Sequence, residues 1–139
     1  MPSTAGYSGT PLARKLGVND ETTIVSINAP KNYLSLLEPL PPGARISMRA
    51  SKHPAFVHVF ATTRAELAKH LKSLRAALTQ NGVVWVSWPK KSAKVPTEIT
   101  EDTIRAVALP LGFVDVKVCA VDETWSGLKL VIRRELRTR

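Results

Sequence analysis

The chain has 139 residues, 44% hydrophobic and 22% charged, and a formal net charge of +9 at pH 7. This length favours one domain with a single core, and the composition excludes an intrinsically disordered chain. The positive charge leaves three acidic partners open: nucleic acid, an anionic small ligand and an acidic protein surface. A basic surface that only aids solubility is the plain alternative.

Cys119 is the only cysteine, so no internal disulfide can form, which suits a reducing compartment. Its surroundings, Val-Lys-Val-Cys-Ala-Val, predict a small buried side chain rather than a nucleophile. The first residues lack the charged start and apolar run of a secretory signal. No apolar run approaches the ~20 residues of a membrane span. We therefore predict a cytoplasmic protein without a membrane segment.

Residues 1–22 predict an extended arm followed by a short helix. Thr10 is suited to the N-cap, Pro11 to the first helical position and Gly17 to the helix end. The β-branched run 23–27 then predicts the first strand.

The next segment predicts a short helix at 32–37, a proline-rich loop at 38–43, an edge strand at 45–49 and a third strand at 56–60. His58 lies between two valines of that strand, which predicts a hydrogen-bonded core histidine. Because no cysteine or carboxylate stands at metal-ligand spacing from a histidine, we predict no metal site.

A capping box, formed by Thr63 and Glu66, opens the clearest helix of the chain, and Asn81-Gly82 is predicted to end it. Its apolar stripe consists of four leucines: Leu67, Leu71, Leu74 and Leu78. Several cations lie on the other sides of this helix. They predict a solvated face, because no aromatic residues alternate with them to stack on bases; a nucleic-acid surface is the alternative.

The stretch 83–91 changes from apolar core to cationic surface within one residue. Val83 to Val86 have the continuous apolar character of a central strand, with Trp85 in the core. The segment Trp88-Pro89-Lys90-Lys91 follows directly and begins a basic loop.

A further helix is predicted next, capped by Thr97 or Thr100, with Glu98, Glu101 and Asp102 suited to its positive N-terminal end. Strands at 113–121 and 128–133 follow it. Only six residues connect them, too few for a helical crossover, so the two strands form an antiparallel pair.

Strands that alternate with helices predict one α/β domain over residues 23–134. We expect three layers around a mostly parallel sheet of about six strands that ends in the antiparallel pair. Residues 135–139 predict a basic tail that frays.

This order of elements resembles the fold of class I S-adenosylmethionine-dependent methyltransferases over residues 23–133. The likeness rests on the strand 56–61, on the leucine-rich helix and Gly turn that lead into the strand 83–87, and on the closing antiparallel pair. It implies a Rossmann-like fold. In that family the first strand leads into a Gly-rich loop under the cofactor, and the second ends in an acid that binds the ribose hydroxyls.

Both cofactor features differ in this chain. The loop after the first predicted strand is Asn28-Ala29-Pro30-Lys31-Asn32, which has no glycine and contains a proline without an N–H group. The end of the second predicted strand carries Arg49-Ala50-Ser51-Lys52, with a charge opposite to that of the acid. We therefore predict no bound cofactor.

A second resemblance covers nearly the whole chain. The motifs Ala-Gly-Tyr-Ser-Gly-Thr-Pro-Leu at 5–12, Trp-Val-Ser-Trp-Pro-Lys-Lys at 85–91 and Val-Asp-Glu-Thr-Trp-Ser-Gly-Leu-Lys-Leu at 121–130 are similar to those of a family of short bacterial proteins known as a domain of unknown function. The resemblance implies no established activity or site.

In parallel α/β sheets, ligands bind beyond the carboxyl ends of the strands. The predicted topology brings one set of residues to that rim, and we predict a candidate ligand site there. Its members are Asn28, Thr62, Trp88, Lys90, Lys91, Asp122, Glu123, Trp125 and Ser126. Indole rings offer stacking faces to a planar ligand, and the lysines neutralise an anion.

Each of these residues also has a structural interpretation. Trp88 is suited to capping the sheet edge, and the lysines to a solvated turn. Asp122 and Glu123 are suited to pairing with those lysines or to capping the hairpin, which we favour over a general acid–base role. No nucleophile–base–acid set and no phosphate-binding loop is present, so we predict no catalytic residue.

Three functions remain open on the sequence. The leading hypothesis is a non-catalytic protein that binds a small anionic or planar ligand at the rim. The alternatives are a nucleic-acid-associated basic protein and an enzyme that uses Asp122 or Glu123. The oligomeric state is left open.

Overall fold

A computed structural model describes residues 10–49 and 51–138. The strands are β1 (Thr23–Ile27), β2 (Arg45–Ser47), β3 (Phe56–Phe60), β4 (Val83–Pro89), β5 (Phe113–Ala120) and β6 (Trp125–Ile132). The helices are α1 (Leu12–Leu16), α2 (Tyr33–Leu37), α3 (Arg64–Ala77) and α4 (Glu101–Leu111), with short 3₁₀ turns at Lys91–Ala93 and Arg134–Leu136. The predicted order of strands and helices is confirmed.

The six strands form one sheet in the order β2-β1-β3-β4-β6-β5. The first four are parallel to one another, whereas β6 is antiparallel to both of its neighbours, β4 and β5. The predicted fold class, an α/β domain with a mostly parallel sheet that ends in an antiparallel pair, is therefore confirmed.

Helices cover the sheet on both faces. Leucines of α3 and Ile104 of α4 pack with Val84, Val86 and Trp88 in one cluster of buried residues. Residues of α1 and α2 pack on the opposite face in a second cluster, which contains Trp85. Since successive side chains of a strand point to opposite faces, β4 must be apolar at nearly every position, which explains its continuous hydrophobic run.

Helix α3 differs from its prediction at both ends. Thr63 Oγ1 accepts from Glu66 N at 3.2 Å, but the carboxylate of Glu66 turns to Thr62 N instead of completing a capping box. The helix ends at Ala77, earlier than the predicted Asn81-Gly82. The backbone of Leu78 is already extended, because its side chain packs in the core. Leu78 is only 2% exposed.

Three further boundaries correct the sequence analysis. Pro11 rather than Thr10 occupies the N-cap of α1, which has no side-chain cap. Strand β6 begins at Trp125, three residues before the predicted 128, because its pairing with β4 extends to the end of that strand. The carboxyl-terminal segment was predicted to fray, but Thr138 N donates to Gln80 Oε1 at 2.9 Å.

The outer strand β5 contains an irregularity. Its register with β6 shifts between Asp115 and Lys117, which leaves Val116 as an extra residue. Val116 and Val118 are 53% and 49% exposed, and Lys117 lies between them. Cys119, further along the strand, is buried as predicted, and this burial raises the pKa of its thiol.

A buried polar chain crosses the face of the sheet beneath α2. The hydroxyl of Tyr33 lies 2.7 Å from His58 Nδ1, and His58 Nε2 lies 2.7 Å from Ser87 Oγ. The predicted role of His58 as a hydrogen-bonded core residue is confirmed. His58 is fully buried, and this desolvation lowers its pKa to about 3. The imidazole is therefore neutral at physiological pH, with one ring nitrogen donating and the other accepting.

We expect this histidine to make stability depend on pH. Its pKa is lower in the folded than in the unfolded chain, where it is about 6.5, so protons favour unfolding. The contribution to the free energy of unfolding is complete above about pH 6.5 and falls by up to ~1.4 kcal/mol per pH unit below it. Urea titrations between about pH 7 and pH 5, above the range of most carboxylates, measure this slope.

Two variants separate His58 from other groups. His58→Asn should be less stable at neutral pH and show a flatter dependence on pH. His53→Asn, an exposed control, should retain the slope of the natural chain. An equal slope in all three proteins would contradict the assignment.

Candidate functional site

The carboxyl ends of the parallel strands meet at one edge of the sheet. Asn28 follows β1, Thr62 lies just beyond β3, and Lys90 follows β4. The hairpin between β5 and β6 turns at the same edge, since β6 runs antiparallel to β4. The crevice between β1 and β3 is the topological switch point, where α/β sheets bind their ligands.

Side chains from the two loops at this crevice are hydrogen-bonded to each other. Asn28 has a left-handed backbone, with φ of 58°, and its Nδ2 donates to Glu66 Oε2 at 3.1 Å. The other carboxylate oxygen of Glu66 accepts from Thr62 N at 3.5 Å. The hydrogen bonds of Glu66 thus join the loop after β1 to the loop after β3 across the switch point.

A second carboxylate occupies the N-terminus of α3. Glu98 Oε1 accepts from Arg64 N at 2.9 Å, and Glu98 N donates to Thr62 O at 2.8 Å. These bonds fold the segment before α4 back onto the first turn of α3. Free N–H groups at a helix N-terminus favour negative charge, and here Glu98 supplies it.

Glu66 and Glu98 were not predicted to lie at this edge. Glu66 was assigned to a capping box, and Glu98 to the positive end of α4. Both assignments used only local spacing, whereas the bonds from Glu98 to Arg64 and from Asn28 to Glu66 join residues 34 and 38 positions apart. No local signal in the sequence could have located them.

The two predicted rim tryptophans have different environments. Trp88 is 8% exposed and belongs to the core cluster beneath α3 and α4. The predicted convergence of two accessible indoles is therefore wrong, because the side-chain alternation of β4 directs Trp88 into the core. Trp125 is half-buried and packs edge-on against Phe60, with ring centroids 5.0 Å apart.

The backbone of Lys90 and Lys91 runs next to the segment that carries Trp125. Trp125 is paired with Pro89 in the register of β4 and β6, and Lys90 N donates to Thr124 O at 2.7 Å. Lys90 is half-buried and Lys91 exposed. Neither lysine forms an ion pair with any residue that the structure describes, so the predicted alternative of pairing with Asp122 or Glu123 is not observed.

Asp122 acts as the cap of the hairpin. Its Oδ1 accepts from Thr124 N at 2.8 Å and from Trp125 N at 2.7 Å. This confirms the favoured interpretation of Asp122. Glu123 is exposed at the tip of the same turn, and Ser126 is half-buried on β6.

Among the described residues, the ion pairs concentrate on one arginine. Arg105 on α4 bonds three carboxylates, those of Glu101, Asp102 and Asp115. The hydrogen bonds to Asp115 and Glu101 raise the pKa of this guanidinium. One arginine thus uses three of the eleven acidic side chains.

Residues 10–49 and 51–138 contain no group of three or more His, Cys, Asp or Glu side chains that could hold a metal ion. Over the same ranges, no helix combines the length and apolar character needed to cross a membrane.

The fold is shared with solved methyltransferase structures. A SAM-dependent methyltransferase from Aquifex aeolicus has a TM-score of 0.63 and 11% identity, over 87% of each chain. Fibrillarin from Aeropyrum pernix, with natively bound S-adenosyl-L-methionine, has a TM-score of 0.60 and 14% identity, over 86% of this chain and 73% of fibrillarin. TrmN from Thermus thermophilus has a TM-score of 0.57 and 12% identity; 87% of this chain matches 47% of TrmN. Identities this low show the fold alone.

No family model matches the chain, and no curated protein sequence does. The likeness to the short bacterial family therefore rests on the three sequence motifs.

The residues at the switch point do not fit S-adenosylmethionine in the manner that the methyltransferase resemblance implies. The loop after β1 has no glycine, and the hydrogen bond from Asn28 to Glu66 crosses the crevice. Strand β2 ends at Ser47 and is followed by Met48 and Arg49, without an acid. We therefore derive no reaction of this chain through S-adenosylmethionine.

The capping role of Asp122 predicts a specific pattern of stability. Asp122→Ala removes both hydrogen bonds to the hairpin and should lower the free energy of unfolding by about 1–2 kcal/mol. Asp122→Asn keeps an oxygen acceptor and should cost less. Urea denaturation measures both values, and faster amide exchange at Thr124 and Trp125 in Asp122→Ala locates the effect. If both variants lost the same free energy of unfolding, the negative charge of Asp122, and not its hydrogen bonds to the turn, would be the source of the stabilisation.

Proposed function

We propose that the chain is a non-catalytic binding protein that holds a small planar anion at the carboxyl edge of the sheet. The observation that carries the proposal is the backbone register, which brings Lys90 and Lys91 next to the segment of the half-buried Trp125. Neither lysine has an ion pair among the described residues. The lysines supply the charge that an anionic group needs, and the indole supplies a surface for a ring. Asn28, Thr62, Glu123 and Ser126 complete the proposed rim.

The rigidity of the rim supports binding without a large rearrangement. The backbone of Lys90 is fixed by the hydrogen bond of its N–H group to Thr124 O, and Trp125 is held by its pairing with β4 and by Phe60. The turn between β5 and β6 is held by the Asp122 carboxylate. Groups held in place before a ligand arrives lose less conformational entropy on binding.

The chemistry of the carboxylates supports binding over catalysis. Asp122 already accepts two backbone N–H groups, and Glu123 is exposed without a hydrogen-bond partner among the described residues. A general acid or base needs an unusual environment and a substrate within reach. The proposal of an enzyme that uses Asp122 or Glu123 is accordingly the weaker one.

Two finer assignments belong to the same proposal. The motifs at 5–12, 85–91 and 121–130 support membership of the short bacterial family of unknown function. The single cysteine, which is buried, supports a cytoplasmic location.

Tryptophan fluorescence tests the rim directly. Trp85 and Trp88 are shielded, so a ligand at this edge should change the emission of Trp125. We propose titration with AMP, UMP and benzoate, each matched with its neutral relative (adenosine, uridine and benzamide), and with inorganic phosphate. The proposal expects saturable responses to at least one planar anion, and weaker binding of its neutral relative and of phosphate.

Matched double variants locate the charge. Lys90→Gln/Lys91→Gln should weaken binding of the responding anion about tenfold or more, because charge-assisted hydrogen bonds contribute about 1.5–3 kcal/mol. Lys69→Gln/Lys72→Gln, on the exposed side of α3, removes the same charge and should leave it unchanged. Trp125→Phe should abolish the fluorescence response. Silence of the folded protein towards all probes, or equal affinities in the two double variants, would overturn the proposal.

Nucleic-acid binding is a second candidate, favoured by the uncompensated charge. Arg105 collects three carboxylates, whereas Lys69 and Lys72 on the exposed side of α3 form no ion pair with the residues described. This leaves a cationic helix face that suits the phosphates of a nucleic acid.

Salt titration distinguishes this candidate from the first. If α3 contacts a backbone, the affinity for single-stranded RNA or duplex DNA should fall steeply with salt, with a log–log slope of about −0.7 to −0.9 per phosphate contact. Lys69→Gln/Lys72→Gln should reduce the magnitude of that slope by the equivalent of about two phosphate contacts. Lys90→Gln/Lys91→Gln should leave the slope unchanged. Absence of binding in fluorescence anisotropy at low salt excludes the candidate.

A further inference from the structure

A cleft of about 750 Å³ lies at the opposite, amino edge of the sheet. It opens between the end of α1, which leads into β1, and the loop that leads into β2. Its walls include Arg14, Gly17 and Asp20 on one side and the loop of residues 39–42 on the other. Neither proposed function uses any of these residues, and the volume lies within the range of small-molecule sites, about 300–1,000 Å³.

One cation and one anion line this cleft. Arg14 and Asp20 are both exposed, and neither forms an ion pair or a side-chain hydrogen bond with the residues that the structure describes. They do not pair with each other, although both border the same cavity. Two opposite charges that remain separate at one cavity complement a ligand that carries both signs.

The remaining wall is apolar and stiff. Three prolines and Leu40 form one side, and ring closure fixes the φ angle of each proline. Backbone hydrogen bonds hold the same loop: Ala44 N donates to Pro41 O at 3.1 Å, and Glu21 N donates to Pro42 O at 2.9 Å. Gly17, with φ of 84°, ends α1 on the facing side. The cleft is therefore preformed.

We propose that this cleft binds a small zwitterion with an apolar body, namely a free amino acid or a dipeptide with apolar side chains. Arg14 receives the carboxylate, since a guanidinium matches the geometry of a carboxylate, and Asp20 receives the ammonium. The apolar side chain lies against Leu40 and the prolines, where burial removes apolar surface from water.

Isothermal titration calorimetry with leucine, phenylalanine and leucyl-leucine tests the ligand class. N-acetyl-leucine lacks the ammonium and leucinamide lacks the carboxylate, so each should bind at least about tenfold more weakly than leucine. Comparison of leucine with leucyl-leucine identifies which of the two zwitterions fits. Glycine, which has no apolar body, should bind more weakly than leucine.

Charge variants then assign the subsites. Arg14→Gln should weaken leucine binding about tenfold or more and leave the binding of leucinamide, which has no carboxylate, almost unaffected. Asp20→Asn should also weaken leucine binding, but it should leave the binding of N-acetyl-leucine, which has no ammonium, almost unaffected. Arg134→Gln, an exposed arginine outside the cleft, is the matched control and should bind leucine normally. Circular dichroism checks that each of these surface variants folds normally. In the natural chain, NMR shifts of the Gly17, Asn19 and Leu40 amide signals on addition of leucine report binding without any variant.

Several outcomes would overturn the inference. No heat and no amide shifts with any amino acid or dipeptide would do so. Equal affinity for leucine and both of its blocked derivatives would exclude a zwitterion site, and binding of inorganic phosphate through Arg14 would assign a simple anion site instead. The leucine titrations do not depend on whether AMP binds at the rim. Either proposal can therefore be contradicted while the other stands.

Discussion

The burial of β4 on both faces is the constraint on which the rest of the structure depends. A strand covered from both sides accepts polar atoms only if they are hydrogen-bonded, and Trp85 meets this condition by donating its Nε1 to Leu16 O at 2.8 Å. This bond ties α1 to the sheet. The neighbouring strand must also leave room for the indole, because a Cβ atom at Gly127 would lie 3.2 Å from Trp85 Cε3. Both the helix and the hairpin are thus fitted to one side chain.

The sequence predicted features whose cause is local and periodic. The leucine stripe of α3, the run of β4 and the antiparallel closing pair follow from side-chain alternation and loop length, and the structure contains all three. It did not predict features that depend on distant partners. Leu78 is not part of the helix, because its side chain packs in the core. The alternation of β4 sets the face on which Trp88 lies, but its burial depends on α3 and α4, which cover that face. Glu66 and Glu98 gain their roles only from chain segments far away in sequence.

The switch point shows how a shared fold can be separated from a shared cofactor. The parallel strands create a crevice whose helix N-terminus favours an anion. In this chain, Glu98 contacts that N-terminus and Asn28 bonds Glu66 across the opening. The scaffold of the methyltransferase structures is retained, while hydrogen bonds between the chain's own loops span the switch point. Accessible groups for recognition lie beside the crevice, around Lys90 and Trp125, and at the far edge of the sheet, around Arg14 and Asp20.

The bulge in β5 has a consequence for self-association. An outer strand with free backbone groups is a template on which other chains can add strands, and Val116 and Val118 make this one apolar as well. The extra residue at Val116 interrupts the regular spacing of those groups, and a strand that docked here would have to strip water from Lys117. At the other border of the sheet, β2 is only three residues long. Both margins therefore resist edge-to-edge polymerisation, which protects a chain whose outer strand exposes Val116 and Val118.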